Sequence, residues 1–425
     1  MAVSDTYTPK AGKSITGSNS KKYKWELLLL LWVAFFLNQA DRQIFSVVLP
    51  LVKDDLGLSD AQAGLIASSL VWTYGLLVPV AGFAGDKCSR KLIIGASLCF
   101  WSIATLLTGT SSTLLQFVLL RGIATGGGEA FYAPAANALI SEEHKDRRSF
   151  ALAIHQSAVY FGIILSGLIA GYVAQHYGWR SAFYLFGGLG IVIAIIIFYR
   201  LKKDLPEQVS EKVSVLQTAT SVAKKPTAVL LTLAFACMIF VNVGYLAWMP
   251  SLLVDKFGLT LAQAGFSSMF YHHVGAFAGV IIGGVIADKT ARKNKRNRLL
   301  LQACSLLAGA PFIYWIGMGS TETVTYAALF LFGIFRGMYD SNIFASLFEV
   351  VSPAVRSSAA GLMLMCAFLV GAFSPYLLGV LKPTLGLAAG LSWLWLSYVI
   401  GGGLIFTAVL FFFKKDQEAA FIQLS

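Results

Sequence analysis

The segment Gly82-Phe-Ala-Gly-Asp-Lys-Cys-Ser-Arg-Lys91 returns about 200 residues later as Gly284-Val-Ile-Ala-Asp-Lys-Thr-Ala-Arg-Lys293. A second matched pair precedes these segments in the same order, Leu56-Gly-Leu-Ser-Asp-Ala-Gln-Ala-Gly64 and Phe257-Gly-Leu-Thr-Leu-Ala-Gln-Ala-Gly265. Two matched blocks in one order and at nearly one offset indicate an internal repeat. The repeat predicts two related halves, at 25–201 and 227–414, joined by a linker at 202–226. Tails at 1–24 and 415–425 flank them.

Composition predicts that both halves are built from membrane helices. Of the 425 residues, 57% are hydrophobic and 13% are charged, whereas soluble domains are about 45–50% apolar and about 25% charged. Apolar stretches of about 20 residues, the length that crosses a bilayer, recur along the chain. A soluble enzyme, a disulfide scaffold and a nucleic-acid-binding protein are therefore disfavoured. The sequence predicts an all-α membrane protein with six spans in each half, at 26–50, 61–84, 92–110, 113–140, 149–174, 180–200, 227–254, 262–287, 298–318, 323–350, 356–381 and 388–413.

The distribution of positive charge predicts how the spans are oriented. The formal net charge is +12. If the termini are cytoplasmic, 26 lysines and arginines lie on the inner side and four on the outer side. Basic residues concentrate in the cytoplasmic loops of membrane proteins. We therefore expect a protein of the cell inner membrane with both tails and the linker in the cytoplasm, and the charge requires no nucleic-acid partner.

Two further patterns limit the possibilities. The five cysteines follow no spacing typical of a metal site or a disulfide framework, so no metal and no cofactor are expected. The first apolar run is longer than the core of a signal peptide and has no small-residue cleavage site. It is therefore predicted to remain as the first span.

The block at 82–91 resembles the signature between the second and third helices of the major facilitator superfamily. The resemblance also covers the number of helices, the internal repeat and the charge of the loops. It implies alternating access to one central site. It also implies a gate at the cytoplasmic helix ends, built here by Asp86 and Arg90 and by their duplicates Asp288 and Arg292. An acid at such a position can accept hydrogen bonds from the N-terminal amides of a neighbouring helix. The alternative is that the basic residues of the block only determine topology.

Charges inside the spans are the main functional signal. Two each lie in spans 1, 4 and 10: Asp41, Arg42, Arg121, Glu129, Arg336 and Asp340. An ionised group at the bilayer centre costs about 2.5–3.5 kcal/mol, so these residues predict a site, with all three arginines contacting an anionic substrate. The resemblance implies that spans 1, 4, 7 and 10 line the central cavity. Purely structural pairing is the alternative, as for Arg336 and Asp340, which are one helical turn apart.

Two segments resemble the anion:cation symporters and the Spinster-like transporters, namely NQADR at 38–42 and RGIATGGGEA at 121–130. The resemblance implies that the acids, Asp41 and Glu129, carry protons. It also implies that the arginines, Arg42 and Arg121, bind the anionic group of the substrate. Arginine suits this role because it stays charged and grips a carboxylate with two donors.

The spacing of Arg121 and Glu129 departs from the resemblance, which implies seven positions where this chain has eight. In a regular helix the extra residue rotates Arg121 by about 100° relative to Glu129. Eight residues separate the two by roughly 12 Å along the helix axis and 80° around it. They cannot pair closely, so each is predicted to find a partner on another helix, in water or in the substrate.

Aromatic residues are predicted to complete the substrate site. Tyr74, Tyr245 and Trp248 are the candidates, because aromatic faces and hydroxyl groups suit a sugar-like ligand. The alternative for each of them is packing or anchoring at the membrane interface. His272 and His273 form a titratable pair in span 8. A role in proton coupling and a role in packing both stay open for them.

The function predicted from these residues is proton-coupled symport of a small organic anion, such as a sugar acid, by alternating access. The expected partners are protons, the anionic substrate and the lipid bilayer, and the expected state is a monomer. A Spinster-like exporter of lysophospholipid and a transporter of neutral sugars are the alternatives. A membrane-embedded enzyme or receptor is disfavoured, because the sequence has no catalytic nucleophile motif, metal cluster or phosphate-binding loop.

Overall fold

The computed structural model describes residues 17–202, 219–220, 222–352 and 355–422. Side chains are described within these ranges except at 17–21, 82–87, 357 and 420–422. Most of the predicted linker at 202–226 and the side chain of the predicted gate residue Asp86 therefore lie outside the described residues.

The described part of the chain is helical and contains no strand. The first six helices are α1 (Gly17–Leu56), α2 (Asp60–Lys87), α3 (Arg90–Thr108), α4 (114–143), α5 (Arg148–Tyr177) and α6 (Trp179–Arg200). The last six are α7 (Pro226–Phe257), α8 (Leu261–Ala291), α9 (Arg296–Met318), α10 (322–348), α11 (356–385) and α12 (387–422).

Four of these helices, α4, α10, α11 and α12, are interrupted, and each consists of consecutive shorter segments. The pieces of α4 are Leu114–Phe117, a π-helical stretch Val118–Thr125, Gly126–Ala130 and Tyr132–Glu143. Those of α10 and α11 are Glu322–Asp340, Ile343–Phe348, Arg356–Gly371 and Phe373–Leu385. Those of α12 are Leu387–Trp393, Trp395–Thr407, a second π-helical stretch Ala408–Phe412, and Phe413–Ile422.

Length and apolarity identify the membrane-crossing helices. Within the described ranges, nine helices are long and apolar enough to span a bilayer. Several helices are longer than the roughly 20 residues that a span requires; α7, for example, has 32 residues. Such helices tilt in the bilayer or extend beyond it.

The two copies of the repeated segment at 56–64 and 257–265 form the same local structure. In each copy a glycine with a φ of 60° or 67° ends the preceding helix in a left-handed conformation. Ser59 and Gln62 then exchange side-chain and backbone hydrogen bonds at the start of α2. Thr260 and Gln263 do the same at the start of α8. Such capping boxes satisfy amide groups that have no partner within the helix.

A second equivalence lies deeper in the helices, where glycines allow close helix packing. In α4, Gly126 lies against the backbone carbonyl of Leu70 in α2. In α10, Gly333 lies against the backbone carbonyl of His272 in α8. A methyl group at either glycine would collide with that carbonyl, so both helix pairs depend on the absence of a side chain.

One end of the molecule joins the first six helices to the last six through close backbone contacts. Gly64 of α2 lies against the carbonyl of Pro375 in α11. On the other side, Gly167 of α5 and Gly265 of α8 pack backbone to backbone. We call this the closed end; it carries the turns that connect α1 to α2, α7 to α8 and α11 to α12.

An ion-pair network reinforces the closed end. Lys382 of α11 lies 3.4 Å from Asp60 of α2, through Nζ and Oδ1, and 3.3 Å from Oδ2 of Asp255 in α7. Lys53 of α1 contacts the same Asp60 oxygen at 2.5 Å. Lys382 is thus the cation that links the first six helices to the last six in this network.

Candidate functional site

A cavity of about 330 Å³ lies between the first six helices and the last six. Small-molecule sites have volumes of about 300–1,000 Å³. Eight helices contribute to its wall: α1, α2, α4, α5, α7, α8, α10 and α11. Four of the predicted site residues line it, namely Arg42, Tyr74, Arg121 and Arg336.

The guanidinium group of Arg42 lines the cavity and pairs with a carboxylate that lies behind the cavity wall. Its Nε donates to Oε2 of Glu129 at 2.6 Å, and its guanidinium carbon lies 4.1 Å from the centre of the Tyr74 ring. The Arg42 side chain is 20% exposed, whereas the Glu129 side chain has no exposed surface. A solute in the cavity therefore meets the arginine and the tyrosine ring before it meets the carboxylate.

Asp41 and Arg121 form a second, more deeply buried pair. Nη2 of Arg121 donates to the backbone carbonyl of Asp41 at 2.7 Å, and its Nη1 lies 3.5 Å from Asp41 Oδ1. Thr105 of α3 donates from its hydroxyl to Asp41 Oδ2 at 2.5 Å. Asp41 and Arg121 are 3% and 2% exposed, so a ligand has little direct access to this pair.

The prediction that Arg121 and Glu129 find partners on another helix is confirmed, because both pair with α1. The neighbours Asp41 and Arg42 do not form a local pair with each other but turn to different residues of α4. The additional residue between Arg121 and Glu129 does not prevent both side chains from reaching α1. The π-helical stretch Val118–Thr125 surrounds Arg121, and a π-turn accommodates one extra residue without changing the direction of the helix faces on either side.

Arg336 and Asp340 of α10 also lie at the cavity wall. The Arg336 Nε is 3.4 Å from Asp340 Oδ2, so the local pair expected from their spacing is present. In addition, Arg336 Nη1 donates to Nε2 of His272 in α8 at 2.8 Å. The neighbouring His273 lines the cavity, whereas His272 is fully buried behind Arg336.

Tyr245 and Trp248 lie behind the cavity wall rather than along it. They are 2% and 1% exposed. The Tyr245 hydroxyl donates to the backbone carbonyl of Ser268, and the Trp248 indole donates to the carbonyl of Pro375 at 2.9 Å. Both side chains tie α7 to neighbouring helices, and this placement favours a supporting role over the predicted contact with a substrate.

The predicted gate residues lie at the end opposite to the closed end. Arg90 pairs with Glu142 of α4. Asp288 lies 3.2 Å from Arg298 of α9. Arg292 lines a cleft together with Asp288 and Arg298. These pairs join helices of the same group of six, so they do not bridge the two groups in this conformation.

Sequence reasoning missed several polar residues of the site. Thr105 was not singled out, although it donates to Asp41. Gln43 and Ser46 of α1 line the cavity. Their only signal in the sequence is a polar group in an apolar helix, which is too common to identify a site. Among the described residues, no cluster of three or more His, Cys, Asp or Glu side chains is arranged to hold a metal ion.

The fold and the site define a class of protein: a multi-pass helical membrane protein with a charge-lined cavity between its two groups of six helices. The family model of the Major Facilitator Superfamily matches residues 31–375. The chain therefore belongs to the major facilitator superfamily, whose members are transporters and not enzymes.

Relatives of two kinds are similar to the chain. Protein spinster homolog 1 of Xenopus tropicalis is 30% identical over 94% of this chain and 83% of its own length. The hexuronate transporter of Bacillus subtilis is 26% identical over 92% of this chain and 94% of its own length. A probable galactarate/D-glucarate transporter of the same bacterium is 27% identical over 70% of this chain and 71% of its own length.

A solved structure supports the fold. The crystal structure of a bacterial homolog of the human lysosomal transporter Spinster, inward-facing and unoccupied, superposes with a TM-score of 0.83. It covers 93% of this chain and 98% of its own chain at 20% sequence identity. At that identity the likeness describes the fold alone.

Proposed function

We propose that the protein is a proton-coupled symporter of a small organic anion, of the sugar-acid type, that works by alternating access. The observation that carries this proposal is the pair of Arg42 and Glu129, in which a cavity-facing arginine is bonded to a fully buried carboxylate. An arginine in this position can exchange one carboxylate partner for another, because both present the same two oxygens.

The exchange of partners couples the anion to a proton. When a substrate carboxylate accepts hydrogen bonds from Arg42, Glu129 loses its counter-ion in a fully buried position. A buried carboxylate without a partner carries a large desolvation cost, so it takes up a proton. The proton and the anion then move together, and release of the anion returns Arg42 to Glu129 and frees the proton.

Asp41 is the second proton carrier in this proposal. It is buried with Arg121 and accepts a hydrogen bond from Thr105. The backbone carbonyl of Asp41 holds Arg121, so this arginine stays in place when the acid is neutralised. Arg121 contributes a permanent positive charge to the cavity wall and thereby favours an anionic ligand.

The contacts between the two groups of helices support alternating access. We propose twelve spans, with α1–α6 and α7–α12 moving as two halves related by the repeat. The equivalent glycine contacts of α2 with α4 and of α8 with α10 support this division. In the conformation described here the closed end faces outward, and opening it requires Lys382 to leave Asp60 while the gate residues at the other end come together.

The proposal includes the orientation of the protein and the membrane in which it lies. The excess of basic residues on one side supports cytoplasmic termini in the cell inner membrane. We propose a monomer, since the cavity lies inside the bundle, between the two groups of six helices of one chain.

Export of a lysophospholipid is the second candidate, and the relationship to protein spinster homolog 1 favours it. The cavity argues for a smaller ligand, because its volume is near the lower limit for small-molecule sites and arginines face it from both groups of helices. A neutral sugar is a third candidate, supported by the amide groups of Gln39 and Asn242 in the wall.

Transport by purified protein in vesicles tests the proposal. An inward proton gradient should drive accumulation of radiolabelled D-gluconate, and an excess of unlabelled D-glucose or lysophosphatidylcholine should leave that uptake unchanged. Movement of labelled lysophosphatidylcholine together with no gluconate uptake would establish the exporter instead. Uptake of glucose without a proton gradient would establish the neutral-sugar transporter.

A further inference from the structure

The last six helices bring a second accessible arginine to the cavity, opposite to Arg42. The Arg336 side chain is 16% exposed and has supporting groups on two sides, His272 and Asp340. A guanidinium group has five N–H donors in a planar fork. One donor of Nη1 is used by His272, and Nε is buried 3.4 Å from Asp340 Oδ2, which leaves the other N–H groups of Nη1 and Nη2. Arg336 therefore retains donors for a ligand.

His273 provides an acceptor on the same side of the cavity. Its Nδ1 lies 2.8 Å from the backbone carbonyl of Met269. A carbonyl only accepts, so Nδ1 carries the proton and Nε2 of the neutral ring is the acceptor. His273 and Arg336 line one cavity, which gives the last six helices a donor and an acceptor for one end of a ligand.

His272 has a different place from His273. It is fully buried, and its ring centre lies 4.7 Å from that of Phe332 and 4.8 Å from that of Tyr245. Arginine only donates, so Nε2 of His272 accepts from Arg336 and the ring is neutral. His272 thus has no contact with the cavity itself, and its polar contribution is to hold Arg336.

The repeat explains how this arrangement differs from that in the first six helices. Leu70 and His272 are equivalent, because their carbonyls face Gly126 and Gly333 respectively. Three residues after each glycine stands the charged residue of the site, Glu129 in α4 and Arg336 in α10. The first copy thus has Glu129 where the second has Arg336. It also has the apolar Leu70 where the second has His272, a hydrogen-bond acceptor.

We propose that Arg336 and His273 form a second subsite that binds the far end of the substrate, and that His272 is a positioning residue for Arg336. The inference rests on the proposed function, in which Arg42 binds the near end. The chemistry that fits the second subsite is a carboxylate with a hydroxyl group on the adjacent carbon. The carboxylate accepts from Arg336, and the hydroxyl donates to His273 Nε2. The substrate is then an open-chain sugar acid with a carboxylate at each end.

Two matched ligands test the subsite. D-Glucarate and D-gluconate have the same open six-carbon chain and differ only in the second carboxylate. Calorimetry on the purified full-length protein should give an affinity for glucarate at least about tenfold higher than for gluconate, as expected for one charged hydrogen-bonded contact. Arg336→Gln should remove this advantage, and His273→Ala should reduce it. Arg356→Gln, at a helix start remote from the cavity, is the matched control and should keep the advantage.

The positioning role of His272 has its own test. His272→Leu, which installs the residue of the equivalent position in α2, should lose the glucarate advantage. His272→Gln should retain it, because the side-chain carbonyl can accept from Arg336. A full advantage in His272→Leu would overturn the positioning role.

The outcomes for the wild type separate the two proposals. Equal affinity for glucarate and gluconate would overturn the second subsite and leave organic-anion transport standing. Binding of neither acid would overturn the proposed function itself. If Arg336→Gln fails to fold, His273→Ala still decides, since an undiminished glucarate advantage in it contradicts the proposed subsite.

Discussion

Arg42 and Glu129 are 87 positions apart in the chain and form an ion pair between α1 and α4 with an Nε–Oε2 distance of 2.6 Å. The Arg42 side chain is partly exposed to the cavity, whereas the Glu129 side chain is fully buried. A substrate anion therefore reaches the pair through the arginine, and the carboxylate responds by binding a proton.

Glu129→Gln should abolish accumulation of substrate driven by a proton gradient and preserve exchange of substrate across the membrane. The amide cannot bind and release a proton, whereas exchange requires no net proton movement. Both activities are measured in vesicles with labelled D-gluconate, as pH-driven uptake and as counterflow. Asp41→Asn should act in the same direction, and Glu322→Gln, at the exposed start of α10, is the control. Wild-type accumulation in both Glu129→Gln and Asp41→Asn would reject these acids as the proton carriers.

Arg42→Lys should weaken gluconate binding by about 10- to 150-fold, although the net charge is unchanged. Lysine lacks the planar fork, so it loses the paired hydrogen bonds and the stacking on Tyr74. The range corresponds to about 1.5–3 kcal/mol for a hydrogen bond to a charged group. Isothermal titration measures it, with Arg180→Lys near the closed end as the matched control. An unchanged dissociation constant for Arg42→Lys would contradict direct contact between this arginine and the anion.

Deletion of Ile123 should leave substrate binding intact. Ile123 lies in the π-helical stretch of α4 and is 50% exposed. Removing one residue converts a π-turn to a regular α-turn and keeps Arg121 and Glu129 directed at α1. Insertion of an alanine after Ile123 is the control, and it should abolish binding because no π-turn of ordinary size absorbs two extra residues. Loss of binding in the deletion variant, with normal expression and thermal stability, would argue against this role of the π-turn.

Lys382→Gln should open the closed end more often, because it removes the cation that joins Asp60 of α2 to α11 and α7. Lys53→Gln removes a neighbouring cation on the same Asp60 but leaves the link between the two groups of helices, and it is the matched control. The measurement is the rate at which a maleimide added outside labels a cysteine in place of Ser68 (buried near the closed end). Equal labelling rates in the Lys382 and Lys53 variants would show that the bridge does not hold this end shut.

Labelling also tests orientation. A cysteine at Thr110, in the exposed turn between α3 and α4, should react with a membrane-impermeant maleimide added to intact cells. A cysteine at Lys145, in the exposed turn between α4 and α5, should react only after the membrane is permeabilised. The reverse pattern would invert the proposed topology.

The sequence by itself determined the class of protein and the residues worth examining. Membrane helices are visible because hydrocarbon excludes long polar stretches. The repeat is visible because the same turn and capping chemistry is needed twice, as at Ser59 and Thr260. Charged residues inside spans are conspicuous because their burial is costly, and four of the predicted site residues do line one cavity.

Only the tertiary structure decided which residues act together. Asp41 and Arg42 are neighbours, yet they face different partners because successive side chains on a helix point about 100° apart. The π-turn around Arg121 and the hydrogen bond from Arg336 to His272 depend on how α4 and α10 are rotated against other helices. Tyr245 and Trp248 turned out to be buried for the same reason. Hydropathy establishes that a segment is a helix, but the rotation and depth of each helix come from side-chain packing across the whole bundle.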